Sequence, residues 1–170
     1  MFTSIFVLLL VVAGCTKIPA DLEPIKGFDL NRYLGKWYEI ARLDHSFERN
    51  MVNVSANYVK RDKGGILVVN RGFNKKSAKW KKIEGRAYFI DRKTVGSLKV
   101  SFFGPFYGGY HIIALDKDNY QYAMVTGPSK SYLWILSRDK TLDNKILSDL
   151  VSKARNWGFE TNKLIYVDQQ

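Results

Sequence analysis

The chain has almost none of the residues that metal binding, thiol chemistry or covalent bracing require. Its 170 residues include one cysteine, Cys15, and two histidines, His45 and His111. A single cysteine excludes an internal disulfide, so the fold must be held by its core. Two histidines without a cysteine partner lack metal-ligand spacing, and in a strand protein such residues are usually hydrogen-bonded structural ones. No catalytic constellation remains, which argues against an enzyme, and nothing calls for a cofactor or a metal. The stretch Gly104 to Gly109 lacks a following helix, so it reads as a strand connection rather than a phosphate loop. Acidic residues are also scarce. Sixteen Asp and Glu against 27 Lys and Arg give a formal net charge of +11. Such a surface attracts polyanions, either nucleic acid or an anionic membrane, and composition alone does not separate them.

A membrane-spanning run is missing too. The apolar stretch Ile5-Phe6-Val7-Leu8-Leu9-Leu10-Val11-Val12 falls short of the roughly 20 residues a helix needs to cross a bilayer. It has the length of a signal-peptide core, and Ala13-Gly14 supply the small residues a peptidase needs. Val12-Ala13-Gly14-Cys15 resembles the lipobox of bacterial lipoproteins, although no Lys or Arg precedes the apolar run. That resemblance implies a signal peptide over residues 1–14 and an acylated Cys15 that anchors the mature chain to a membrane. An ordinary secretory signal with a coincidental cysteine is the competing reading. Thr16 in place of Asp after the cysteine looks like a signal for the outer membrane of a Gram-negative cell, with the periplasmic side favoured. An export signal conflicts with nucleic acid as a partner.

What is present is aromatic. Ten Tyr, ten Phe and four Trp favour strands, because aromatic rings fit a pleated, half-buried surface. Thr16 to Lys26 is polar, contains Pro19 and Pro24, and reads as an extended tether, so the segment 15–27 precedes one globular domain over 28–170. Val52, Val54, Ala56 and Tyr58 alternate onto one face, and Asp62-Lys63-Gly64-Gly65 is a hairpin turn. Eight strands are predicted: 37–43, 52–58, 66–73, 83–90, 97–103, 110–115, 120–126 and 132–137. Short strands at regular spacing predict an antiparallel meander, hence a sandwich or a barrel. One helix is predicted from a Thr141 cap to Gly158, with Leu142, Ile146, Leu147, Leu150, Val151 and Ala154 on one face. A short strand at 163–167 follows.

Gly35-Lys36-Trp37-Tyr38-Glu39-Ile40-Ala41-Arg42 resembles the Gly-x-Trp signature of the lipocalins. The flanking Phe28 to Leu34, Leu43 to Glu48 and Ser101 to Tyr110 are similar to the bacterial and apolipoprotein D branches of that family. Asp118-Asn119-Tyr120 is a looser counterpart of the second lipocalin signature, since its acid and Tyr are not adjacent. Leu133-Trp134-Ile135-Leu136-Ser137-Arg138 matches the third closely. The resemblance implies an all-β, eight-stranded up-and-down barrel, closed at one end, with the helix packed outside. It also implies that Arg138 lies across the indole of Trp37.

Side-chain alternation then selects the inner face. If Arg138 points inward, so do Leu136, Trp134 and Tyr132; if Tyr58 does, so do Ala56 and Val54. Positions matching Tyr58 and Trp134 contact ligand in the apolipoprotein D family. Phe89 with Ala87, Phe102 with Val100, and Ile112 with Met124 are expected liners, with ordinary packing at the barrel base or against the helix as the alternative. The basic stretch Arg71, Lys75, Lys76, Lys79, Lys81, Lys82 and Arg86 around Trp80 is either a solvated turn or a contact for anionic headgroups. The expected function is binding of fatty acids or lysophospholipids for storage or transport in envelope maintenance. The alternative is a membrane-anchored envelope scaffold whose barrel is filled by its own aromatics. Related bacterial lipocalins suggest a homodimer.

Overall fold

The computed structural model describes residues 15–170, so the signal-peptide segment 1–14 lies outside the described residues. Nine strands form one antiparallel sheet: β1 (Gly35–Arg42), β2 (Met51–Lys60), β3 (Ile66–Asn74), β4 (Lys79–Phe89), β5 (Ser97–Ser101), β6 (Gly108–Leu115), β7 (Tyr122–Thr126), β8 (Leu133–Ser137) and β9 (Ile165–Tyr166). β1 pairs with both β2 and β8, which closes β1 to β8 into a barrel, and β9 adds to β1 from outside. Closure leaves no exposed edge within the eight-stranded ring. The predicted fold class holds, with strand limits moved by up to four residues.

The turns follow from local chemistry. Gly64 and Gly65 sit at φ +84° and +77° in the β2–β3 hairpin, a region costly for residues with a Cβ. A Cβ on Gly65 would also lie 2.7 Å from the Tyr88 ring. At this end of the barrel a one-turn helix, α1 (Leu30–Tyr33), acts as the plug. Asp29 caps it by accepting a hydrogen bond from the Asn31 amide at 2.9 Å. This helix was not predicted, because four residues are too few to show a helical period.

Two apolar layers result. Inside the barrel Phe28, Tyr33, Trp37, Tyr58, Val68 and Leu136 belong to one buried cluster. Outside, α2 (Asn144–Asn156) lays Leu150 and Ala154 over Ile113, Met124, Leu133 and Ile135. Its cap is Asp143, which accepts from the Lys145 and Ile146 amides, and not the expected Thr141. The Thr141 carbonyl instead accepts a hydrogen bond from the Ser137 hydroxyl.

The segment expected to be an extended tether is seated on the barrel. Leu22 is buried, Ile18 packs beside it in the outer layer, and the Ile25 amide donates to the Ile112 carbonyl at 2.9 Å. Burying these aliphatic side chains, each worth ~1.5–3 kcal/mol when complete, offsets part of the entropy lost in fixing the segment, and its backbone hydrogen bonds add to that. The polar character and prolines of 16–26 concealed three apolar anchors spaced along it.

Candidate functional site

The closed end is built around Trp37, which is fully buried. Its indole N–H donates to the Tyr33 carbonyl at 2.8 Å, tying β1 to the plug. The Arg138 guanidinium lies 3.9 Å from the indole centre and donates to the carbonyls of Arg32, Lys36 and Tyr120 at 2.6, 2.9 and 3.2 Å. Gly35, beside that guanidinium, sits at φ +93°, a region costly for any residue with a Cβ. Tyr120 adds a fourth tie, its hydroxyl accepting from the Asp29 amide at 3.0 Å. This end does structural work.

Above it the lumen has a hydroxyl floor. Tyr110 OH lies 2.7 Å from both Tyr33 OH and Tyr58 OH. Burial raises the pKa of all three phenols, Tyr33, Tyr58 and Tyr110, so they stay neutral donors and acceptors. The enclosed gap among Phe28, Tyr33, Tyr58, Ile66, Leu98 and Tyr110 is only about 10 Å³, room for one water. Ile112 is wholly buried in this inner cluster, and Phe89 sits 6.1 Å from the Phe28 ring, edge on, at the plug.

The upper lumen differs. Ala56, Val100, Phe102, Tyr110 and Trp134 pack on the inner cluster yet remain only partly buried. Val54 is buried near Gly72, where an added Cβ would come within 3.1 Å of it. Met124 is not among the liners. A bulge at Ile113 pairs Ile112 with Val125 and Ala114 with Met124, so Val125 faces inward and Met124 joins the layer under α2. A second bulge, with Asn53 at φ +50°, pairs Val52 with Phe73 and takes it out of the Val54–Tyr58 row.

A third bulge, between Glu39 and Ala41, brings charge inside. Ile40 and Ala41 both pack in the outer layer, while Glu39 and Arg42 are buried and paired at 2.6 Å. Arg42 also donates to the carbonyls of Glu48 and Met51 in and beyond the β1–β2 connection, at 2.9 and 3.3 Å. Glu48 accepts from the Trp134 indole N–H at 3.0 Å. Burial, and then the neighbouring Glu48, push the Glu39 carboxyl up to about 8, with Arg42 opposing; burial also raises Glu48. The connection is therefore held against one side of the lumen mouth through one guanidinium and two carboxyls. His45 completes the cover, stacked 4.7 Å from Tyr132 and 5.2 Å from Phe47, with burial holding it down to about 4. Tyr132 thus seats the cover. His111 accepts or donates at Ser97 Oγ, 2.9 Å away, in the structural role expected of it.

Residues 28–169 match the family described as a lipocalin-like domain. The chain is a lipocalin. Over 169 residues, 98% of this chain and 99% of the relative, it is 51% identical to the outer membrane lipoprotein Blc of Vibrio cholerae. The Escherichia coli K12 protein of the same name is 47% identical over 161 residues, 95% of this chain and 90% of the relative. Insecticyanin from the tobacco hornworm superposes with a TM-score of 0.71 at 26% identity, covering 90% of this chain and 86% of that one. The expected location, lipid-anchored at the outer membrane, agrees with these relatives. Lipocalins are generally binding and transport proteins for small hydrophobic ligands.

Glu39, Arg42, His45 and Glu48 were not expected inside this lipocalin. Alternation from Trp37 already pointed Glu39 inward, which was the available signal. Arg42 had none, because an extra residue in a strand leaves no mark in the hydrophobic pattern.

Proposed function

We propose that this lipocalin binds fatty acids or lysophospholipids tail-first in the upper lumen, for lipid storage or transport in envelope maintenance, and that Cys15 carries its acyl anchor. The observation that supports this reading is an apolar wall, Ala56, Val100, Phe102 and Trp134, that faces inward while staying accessible to solvent. Each methylene taken up there contributes ~0.8 kcal/mol before ordering costs of several kcal/mol are subtracted. The head stays at the mouth, since an unpaired charge is too costly to bury.

A second reading has its own support. The enclosed gap of about 10 Å³ is far below the ~300–1,000 Å³ of ordinary ligand pockets, as in a barrel filled by its own side chains and serving as an anchored scaffold. The two differ in one titration. Delipidated protein is titrated with fatty acids and lysophospholipids of graded chain length while Trp emission is followed. A carrier gains affinity with length until the tail meets the Tyr33–Tyr58–Tyr110 floor, then levels off, and Trp134→Ala weakens long chains more than short ones. A flat response with unchanged emission supports the scaffold.

A further inference from the structure

Exposed aromatic side chains gather at one end of the barrel. Phe47 is 66% exposed, Trp80 51%, Phe103 74% and Phe106 53%. They sit on the β1–β2 connection, the start of β4 and the β5–β6 connection, all at the mouth. At the closed end no Phe or Trp is comparably exposed among the described residues. Charge follows the same asymmetry. Lys75, Lys76, Lys79, Lys81 and Lys82 are all exposed, and no acidic residue lies between Arg71 and Ile83. The Arg71 guanidinium stands 4.4 Å from the Trp80 ring centre, joining the basic and aromatic features.

The incoming chain reaches this same end. The Gly109 amide, at the mouth end of β6, donates to the Cys15 carbonyl at 3.2 Å. A Cβ at Gly109 would lie 3.1 Å from the Thr16 carbonyl oxygen and 2.6 Å from His111, so only glycine lets the strap lie this close. Below that point Leu22 and Ile25 hold the strap down, and little slack separates Cys15 from the barrel. A membrane anchor on Cys15 therefore enters the bilayer beside Phe103 and Phe106.

We propose that the mouth docks face-on against an anionic phospholipid surface, with Phe103 and Phe106 in the headgroup–acyl boundary and the β3–β4 lysines against the headgroups. The lumen then opens on the bilayer, and a lipid passes between bilayer and barrel without crossing water. The aromatic rim and lysine cluster match a monotopic surface, in which apolar burial and attraction to anionic lipid act together. The orientation rests on the proposed anchor at Cys15; the rim itself does not.

Acylation of Cys15 leaves no free thiol, so single cysteines can be introduced cleanly for nitroxide labels. Gly104→Cys and Gly108→Cys report the rim, where an added Cβ meets nothing within 4 Å, and Asp62→Cys reports the closed end. The full acylated protein is reconstituted into phosphatidylethanolamine vesicles with and without phosphatidylglycerol. With phosphatidylglycerol the rim labels should gain collisions with membrane-dissolved oxygen and lose those with an aqueous nickel complex, and the label at 62 should do neither. Lys75→Glu with Lys76→Glu and Lys79→Glu, or Phe103→Ser with Phe106→Ser, should abolish the shielding. Rim labels as wet as the label at 62 overturn the proposal. So does shielding that persists without vesicles, which would mean a protein partner, or shielding that ignores the lysine reversal. Repeating the chain-length titration on the labelled proteins separates the two readings. Lost docking with an intact length response overturns docking alone, and the converse overturns only the lumen reading.

Discussion

Arg138 joins the Arg32 and Lys36 carbonyls and the Trp37 indole to the Tyr120 carbonyl, which lies far from them in sequence. Its guanidinium fits because it is planar, carries several donors and is weakly hydrated. Stacking on Trp37 contributes ~0.5–2 kcal/mol, and Arg138→Ala would also leave the carbonyls of Arg32, Lys36 and Tyr120 without their donor. The expected loss is about 2–3 kcal/mol in urea unfolding, while ligand affinity of the folded fraction changes little. Arg138→Lys should recover only part of it, since an ammonium cannot reach all three carbonyls while stacking. Unchanged stability would show that the Arg138 contacts contribute nothing to the fold. The residue was legible through the resemblance of Leu133 to Arg138 to the third lipocalin signature. Its three carbonyl partners were not, because backbone acceptors carry no sequence signal.

Among the elements, β1 and the connection that follows it determine how the lumen is covered. The Ile40 bulge rotates Arg42 inward, where it holds Glu39 and the Glu48 and Met51 carbonyls. Burial, and then the neighbouring Glu48, raise the Glu39 carboxyl from 4.5 to about 8, with Arg42 opposing. The folded state then binds more protons than the unfolded chain between those values. Its contribution to stability is complete below 4.5 and is lost as pH rises through about 8. Glu39→Gln should flatten this fall in a series of unfolding curves across that window. If the slope persists in Glu39→Gln, the titration lies elsewhere. The same pH rise adds repulsion between Glu39 and Glu48 and should loosen the cover, read as faster release of a bound lipid in wild type but not in the variant.

On the scale of the whole molecule, the start of the strap, the rim and the lysine hairpin share one end, and the plug occupies the other. A single acyl chain holds a protein only marginally, whereas two or more hold it stably. A Cys15 that is acylated in this way should keep the wild type in the membrane fraction through a high-salt wash. Cys15→Ser should appear as unprocessed precursor or be lost from that fraction. Soluble wild-type protein with its mature end elsewhere would remove the anchor.

Sequence by itself determined the number of strands, the hairpin at Gly64-Gly65 and the outer helix. These follow from period-two alternation, turn glycines and a repeated apolar face, all local properties of the chain; the resemblance to the lipocalins supplied the barrel and the choice of the rows through Tyr58 and Trp134 as inward. Tertiary structure alone decided the bulges at Ile40, Asn53 and Ile113, which bring Arg42 in and place Val52 and Met124 elsewhere. It also decided the seat of the strap at Gly109 and the charged cover over the lumen. The physical reason is common to these cases. A bulge is set by the register of the neighbouring strand, which lies elsewhere along the chain, and the Glu39–Arg42 pair, though local in sequence, is buried only because such a bulge turns Arg42 inward.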